Sequence, residues 1–173
     1  LGGGTIGLLM LQLAKNAGAE KIVVLEPLEH KRRIASALGA DTVLHPGETD
    51  PISAVHDLLP DGADVVIECV GKAQTMQLAL ELARRGGTVE FFGVSPVGEV
   101  IPIEPNQVYF KELTIVGSYV NPHTFDRSIA LLRSGTVRTD LFQIDRFPLE
   151  GAPEALRYQR EGKTIKSIIL PHS

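Results

Sequence analysis

Short runs rich in β-branched residues alternate with stretches of helical periodicity through the first half of the chain. Apolar runs at 21–26, 42–44, 64–69 and 88–92 are separated by segments in which apolar residues recur at three- and four-residue steps. Strands separated by helices pair in parallel, because each helix carries the chain back across the sheet before the next strand begins. The alternation therefore predicts an α/β fold with a doubly wound parallel sheet.

The second half of the chain is less regular and begins with a proline-rich stretch. Within it, Glu99–Ile103 contains Pro102, and proline cannot donate to the hydrogen-bond ladder of a central strand, so we predict an edge strand. The buried pattern returns at 113–117 as a predicted strand, and a helix is predicted over 122–135. The last predicted elements are a helix at 153–160 and a strand at 167–170.

The composition excludes two classes of partner and indicates a compartment. A formal net charge of −4 and an isoelectric point near 5.7 argue against binding to nucleic acid, which requires a clustered positive surface. No apolar stretch approaches the roughly 20 residues that a bilayer-spanning helix needs. The lone Cys69 cannot form an intrachain disulfide, and the chain does not open on a signal-peptide pattern. We therefore expect a cytoplasmic protein with neither nucleic acid nor a membrane as a partner.

The first seven residues, LGGGTIG, contain the spacing Gly2-x-Gly4-x-x-Gly7 directly before a predicted helix. In a dinucleotide site with this spacing, the first glycine permits a tight turn, the second lets the backbone approach a pyrophosphate, and the third lets helix and strand pack closely. The amides of Thr5 and Ile6 would lie at the positive end of the helix and face the anion. The spacing alone is weak evidence in a chain with 17 glycines, but the helix and strand that follow strengthen it.

Glu26 lies 19 positions beyond Gly7, at the end of the apolar run 21–26. An acidic side chain at this place can accept hydrogen bonds from both hydroxyls of an adenosine ribose, and it repels a 2′-phosphate. Lys31, Arg32 and Arg33 follow one turn later and could hold that phosphate. Because Glu26 is closer to the ribose, we predict NAD as the cofactor rather than NADP. The alternative is that Glu26 is a solvent-facing carboxylate at a strand end.

Six segments spread over nearly the whole chain resemble medium-chain, zinc-dependent alcohol dehydrogenases, in the branch of threonine, sorbitol and other polyol dehydrogenases. The segments occur in the order found in that family. They are LGGGTIG, the strand that ends in Glu26-Pro27, GADVVIECVG at 62–71, GGTVEFFGV at 86–94, LTIVGSYVNPHTF at 113–125 and GKTIKSIILP at 162–171.

The resemblance assigns residues to the adenosine and pyrophosphate parts of a bound nucleotide. It implies that Lys31 lies beside the ribose and the adenine, and that Cys69 and Val70 line the adenosine pocket. Lys166 stands where many members have a pyrophosphate-binding arginine. Its point charge would bind less tightly than the planar fork of arginine.

The nicotinamide end follows from the same resemblance. The carbonyls of Phe92 and Ser118 and the amide of Val120 would hold the carboxamide, which fixes the face from which hydride is transferred. The complete predicted set of cofactor-binding residues is Gly2, Gly4, Thr5, Ile6, Gly7, Glu26, Lys31, Cys69, Val70, Phe92, Gly93, Ser118, Val120 and Lys166.

Family members carry a separate catalytic domain, which holds zinc, ahead of the cofactor domain. The resemblance therefore implies a fragment that begins at the end of the first strand: a dinucleotide-binding domain over 1–135, and a segment over 136–173 that completes it and returns toward the catalytic domain. One cysteine and scattered histidines cannot assemble the zinc sites of the family. We expect neither catalytic nor metal-binding residues in this chain, which alone would be inactive. Zinc would belong to the full-length parent, which would oxidise a secondary alcohol to a ketone.

The resemblance also implies self-association. In the family, the segment equivalent to Glu99–Ile103 pairs with its twofold copy, so we expect a homodimer or homotetramer. Two other functions stay open. One is a stand-alone nucleotide-sensing module without chemistry. The other is an S-adenosylmethionine-dependent methyltransferase, whose sheet would end in an antiparallel hairpin.

Overall fold

The computed structural model describes residues 1–120 and 122–171. Asn121, within one of the six segments, and the last two residues of the predicted segment 136–173 lie outside this range. The helices are α1 (Thr5–Asn16), α2 (Glu29–Ala37), α3 (Pro51–Leu58), α4 (Ala73–Leu82), α5 (Pro105–Lys111), α6 (Phe125–Arg133) and α7 (Ala152–Arg160). The strands are β1 (Val23–Leu25), β2 (Thr42–Leu44), β3 (Ala63–Glu68), β4 (Ala83–Phe91), β5 (Thr114–Gly117), β6 (Ile144–Pro148) and β7 (Lys166–Leu170).

The strands pair in parallel throughout the described part of the chain. β1 pairs with β2, the order β3-β4-β5 forms a second group, and β6 pairs with β7. This confirms the α/β fold with a doubly wound parallel sheet. The antiparallel hairpin that a methyltransferase would require is not found among the described residues.

Leu1 and Gly2 join the first two groups of strands. The amino group of Leu1 donates to the carbonyl of Ile67 on β3 at 2.7 Å, and the amide of Gly2 donates to the carbonyl of Leu25 on β1 at 2.9 Å. Away from this junction, β1 and β3 flank a largely apolar cleft of about 700 Å³ beneath α1. Val65, in the middle of β3, is 56% exposed there.

The hydrophobic core has two layers, one on each face of β1. Leu25 belongs to the layer that α3 and α4 cover, whereas its neighbour Val24 packs with α1 and α2. Adjacent residues of a strand point to opposite faces, so helices lie on both sides of this sheet. Phe142 and Ile165, from the C-terminal segment, are buried in the second layer. The end of the chain is thus packed against its first helix.

The predicted edge strand at Glu99–Ile103 is wrong for the single chain. Residues 93–104 have no regular secondary structure, because no neighbouring strand offers this stretch a hydrogen-bond ladder. Ile101 packs against the first core layer, whereas Val97 and Val100 point into solvent. The segment is therefore anchored at one residue and open on its outer side.

Other differences concern element boundaries and one helix that was not predicted. β4 begins at Ala83, ahead of the two glycines, instead of at Thr88. The helix predicted over 122–135 spans Phe125–Arg133. Helix α5 follows the proline-rich stretch without a break, with Pro105 in its first turn, where the absent N–H of proline costs nothing. Among the described residues, no helix is both long and apolar enough to cross a bilayer.

Candidate nucleotide site

The glycine-rich turn is packed so closely that side chains are excluded at two of its positions. Gly2 has φ +93°, and a Cβ there would lie 2.8 Å from Cγ2 of Val70. A Cβ on Gly7 would collide with the carbonyl of Gly2. The second motif glycine differs, because a Cβ on Gly4 would meet nothing within 4 Å. The turn is therefore tight on its inner side and open at Gly4.

The amino end of α1 has features of an anion site. Gly4 is the N-cap of this twelve-residue helix, and no side chain caps it. No acidic residue lies in the first turn. The first amides of a helix have no partner within the helix, and they carry the positive end of its dipole. The amides of Thr5 and Ile6 therefore favour an anion beside Gly4.

A long-range hydrogen bond brings the start of β7 to the same place. The hydroxyl of Thr5 donates to the carbonyl of Ile165 at 2.7 Å, which sets Lys166 next to the amino end of α1. The neighbouring Lys31 on α2 lies next to Gly162, in the loop before β7. One lysine thus lies beside the amino end of α1, and the other lies beside the loop that leads to β7.

Glu26 is buried, so it is not the solvent-facing carboxylate of the alternative interpretation. It is 5% exposed, and its two oxygens accept hydrogen bonds from the amides of Gly3 at 2.7 Å and Leu28 at 2.9 Å. These bonds hold the carboxylate between the glycine-rich turn and the start of α2. The two arginines nearby have other partners, since Arg32 donates to backbone carbonyls and Arg33 pairs with Glu29.

The carboxyl end of β3 carries a carboxylate that the sequence reasoning missed. Glu68 is fully buried, and its Oε1 accepts hydrogen bonds from the amides of Val70 at 2.8 Å and Gly71 at 3.0 Å and from the hydroxyl of Thr75 at 2.7 Å. The sequence offers one signal, because an acidic residue ends a largely apolar run three residues before Gly71. Cys69 lies between these groups, and burial raises the pKa of its thiol.

The ends of β4 and β5 lie side by side. Phe91 is in register with Gly117, which makes Phe92 and Ser118 neighbours beyond the last pair. The hydroxyl of Ser118 donates to Oε1 of Glu90 at 2.7 Å. Val120 has φ +52°, a conformation that costs a β-branched residue energy and that is often found at functional sites.

The predicted residues therefore meet at one edge of the sheet. Those from the glycine-rich turn and from the ends of β1, β3, β4 and β5 all lie at the carboxyl ends of the strands, where open parallel sheets bind their ligands. Lys166 joins them through the bond between Thr5 and Ile165.

The residues that the structure describes do not fit a metal centre. Within 1–120 and 122–171, no group of three or more histidine, cysteine, aspartate or glutamate side chains lies close enough to hold an ion. His45 accepts a hydrogen bond from the amide of Gly47, and His56 lies 3.1 Å from the carbonyl of Pro60. Each of these rings thus bonds to its own loop.

Comparison with known proteins gives one family. The family profile described as zinc-binding dehydrogenase matches residues 5–134. Among curated relatives, the sorbitol dehydrogenase of Bombyx mori is 31% identical and the L-threonine 3-dehydrogenase of Thermococcus kodakarensis is 32% identical. These matches cover 98% and 99% of this chain but 49% and 50% of the relatives. The chain thus spans about half their length.

Solved structures agree. A protein from Sinorhizobium meliloti 1021 that is classed as a zinc-binding dehydrogenase, with NADP bound, superposes with a TM-score of 0.92 at 38% identity. The match covers 98% of this chain and 51% of that protein. An alcohol dehydrogenase from Thermus sp. ATN1 gives 0.89 at 29% identity, over 97% of this chain and 50% of the other. By sequence and by fold, the chain belongs to the zinc-binding dehydrogenase family.

Proposed function

We propose that this chain is the nicotinamide-dinucleotide-binding domain of a dehydrogenase, and that it prefers NAD(H) to NADP(H). One observation carries the proposal: the uncapped amino end of α1, open at Gly4, lies beside the buried carboxylate of Glu26. The first feature suits a pyrophosphate and the second suits the ribose hydroxyls of an adenosine.

Different residues around the glycine-rich turn would bind different parts of the nucleotide. The amides of Thr5 and Ile6 would bind the pyrophosphate, and Lys166 would add a positive charge that the Thr5–Ile165 bond holds close by. Lys31 would lie along the ribose and the adenine. Residues 1–135 would thus carry most of the site and 136–173 would complete it, which the paired hydrogen bonds between Gln12 and Arg138 support.

At the other end, this chain would orient the reactive ring. The carbonyls of Phe92 and Ser118 and the amide of Val120 would hold the carboxamide, so that one face of the nicotinamide is turned toward the substrate. The bound nucleotide would supply the hydride acceptor. The positive φ of Val120 supports a functional role for this position, because strained backbone is often kept at binding sites.

The preference for NAD(H) rests on the surroundings of Glu26. The amides of Gly3 and Leu28 hold the carboxylate in place, and a negative charge there repels a ribose 2′-phosphate. Arg32 and Arg33, the side chains best suited to such a phosphate, already have partners. The relative from Sinorhizobium meliloti contains NADP, so the preference has to be tested directly.

For the whole protein, we propose oxidation of a secondary alcohol in a polyol, sugar alcohol or amino alcohol to a ketone. The names of the relatives, which include sorbitol, L-threonine and D-arabinitol dehydrogenases, support this class. Zinc would act in the full-length parent, since the described residues do not offer a site for it. The chain by itself would bind nucleotide without oxidising alcohol.

Calorimetric titration tests the cofactor proposal. We expect tighter binding of NADH than of NADPH, and a loss of about 1–3 kcal/mol in NADH binding for Glu26→Ala, because a charged acceptor for the ribose is removed. Tighter binding of NADPH, or equal binding of NADH by the variant, would contradict the role of Glu26. Alcohol oxidation by the purified chain, abolished by a chelator, would contradict the proposed inactivity.

We also propose that two copies of the chain associate through Glu99–Ile103. Val100 is exposed within this segment and Val97 is exposed just before it, on a stretch without regular secondary structure. Open apolar edges favour association. Because Pro102 limits the number of ladder bonds, buried side chains would contribute much of the affinity.

A further inference from the structure

Glu68 connects three segments at the carboxyl edge of the sheet. Its carboxylate accepts hydrogen bonds from the loop after β3 and from Thr75 on α4. Its backbone carbonyl accepts hydrogen bonds from the amides of Phe92 at 2.9 Å and Gly93 at 2.7 Å, just after β4. One fully buried residue therefore fixes the loop beyond its own strand, the start of α4 and the turn after the next strand.

The loop that Glu68 holds is in direct contact with the glycine-rich turn. Val70, whose amide donates to the Glu68 carboxylate, places Cγ2 against Gly2, where only a glycine leaves it room. The position of Val70 thus depends on the carboxylate on one side and on Gly2 on the other. A shift of the loop would move both Cys69 and Val70 relative to the turn.

A carboxylate suits the donors that converge on this point. The Val70 and Gly71 amides and the Thr75 hydroxyl all present hydrogens to Glu68, and an ionised carboxylate is purely an acceptor. A glutamine of the same shape could keep its oxygen in the place of Oε1. Its NH₂ group would then replace Oε2, which accepts from the Gly71 amide at 3.1 Å, and would set one buried donor against another. A buried donor without an acceptor is costly, so the loop would move to satisfy it.

We propose that Glu68 is a positioning residue for the adenosine half of the nucleotide, acting through the Cys69–Val70 loop. This inference rests on the proposed function, because it concerns the same nucleotide site. Glu68 would not touch the ligand. It would hold Cys69 and Val70, which would line the adenosine pocket, at the correct distance from the glycine-rich turn.

Three variants test the proposal by calorimetry with NADH and with ADP-ribose, which lacks the nicotinamide. We expect Glu68→Gln to weaken binding about tenfold. Thr75→Val removes one donor and should weaken it about threefold, since its hydroxyl also lies 2.9 Å from the Lys72 carbonyl. Each variant should lose affinity for NADH and for ADP-ribose by the same factor, because both ligands contain the adenosine half.

Lys111→Met is the matched control. Lys111 anchors the opposite end of α4 through hydrogen bonds to the carbonyls of Leu80, Glu81 and Ala83, away from the nucleotide site. The Lys111→Met substitution should lower the melting temperature without changing the affinity for NADH or for ADP-ribose. The control therefore separates loss of fold stability from loss of positioning.

The outcomes are distinct. Failure of the wild-type chain to bind NADH overturns the proposed function and this inference with it. If the wild type binds and Glu68→Gln binds equally well, the inference alone fails. It also fails if Lys111→Met loses as much affinity as Glu68→Gln, or if the loss appears with NADH but not with ADP-ribose. If Glu68→Gln does not fold, Thr75→Val decides by the same criteria.

Discussion

The amide of Gly3 donates a 2.7 Å hydrogen bond to Oε2 of Glu26 across 23 residues of sequence. The bond ties the glycine-rich turn to the end of β1. The other oxygen of the same carboxylate accepts from Leu28, ahead of α2. Glu26 therefore stabilises the protein in addition to its proposed contact with a ribose.

We expect Glu26→Gln to reduce the free energy of unfolding by about 1–3 kcal/mol, because its amide group cannot accept from both buried N–H groups. Urea denaturation followed by circular dichroism measures the loss. Glu29→Gln is the control, since Glu29 is exposed and its pair with Arg33 should contribute little. Equal stability of the Glu26 variant and the wild type would show that these bonds are unimportant.

Lys111→Met should lower the free energy of unfolding by about 2 kcal/mol. Its ammonium group donates to three carbonyls around the C-terminal end of α4, where a positive charge also suits the helix dipole. Lys21→Met is the comparison, because Lys21 donates to a single carbonyl, that of Leu58, at an exposed site. Chemical denaturation of both variants gives the difference, and a Lys21 variant that loses as much as the Lys111 variant would refute the argument.

Val100→Lys should convert a dimer into a monomer without lowering stability, because Val100 is 82% exposed. Sedimentation velocity of the wild type and the variant measures this. Ile101→Lys is unsuitable as the interface test, since Ile101 packs against the core and a lysine there should lower the unfolding free energy itself. A monomeric wild type, or an undisturbed dimer in Val100→Lys, would exclude the segment as the interface.

Cys69 should react slowly with iodoacetamide at neutral pH. Burial raises the pKa of its thiol, and only the thiolate reacts, so the rate should keep rising with pH beyond the range in which glutathione has reached its plateau. Mass spectrometry of samples quenched at intervals gives the rates. NADH should slow the reaction further if Cys69 lines the adenosine pocket. A rate equal to that of glutathione at neutral pH would contradict the burial argument.

Strong local patterns made most of the fold predictable. The run at 42–44 coincides with β2, and the periodicity after Gly4 gave α1 because its apolar side chains face a core. Helix α5 was missed because it is seven residues long and has no buried residue, so it leaves no apolar periodicity to detect. The strand at Glu99–Ile103 was wrong because strand formation depends on a neighbour, which local sequence does not specify.

Site residues were predictable where a sequence motif specifies the backbone conformation. They were less predictable where tertiary packing determines the position of a side chain. Gly2 and Gly7 have the close contacts that their spacing implies. The burial of Glu26 follows from amides 23 residues before it and two after it, and only the local one is visible in the sequence. Glu68 was overlooked because an acid at a strand end is usually exposed, and its inward orientation depends on Thr75 and the folded loop.

The hydrogen bond from Thr5 to Ile165 spans 160 residues, which orders events during synthesis on the ribosome. The glycine-rich turn emerges well before the lysine beside it, which arrives only with β7. The glycine-rich turn therefore lacks its contact with β7 until that strand has been synthesised. Contacts between residues so far apart in sequence also form slowly. A nascent chain would acquire its full affinity for a dinucleotide only after β7 has emerged, so ligand capture would report that the C-terminal segment has docked on α1.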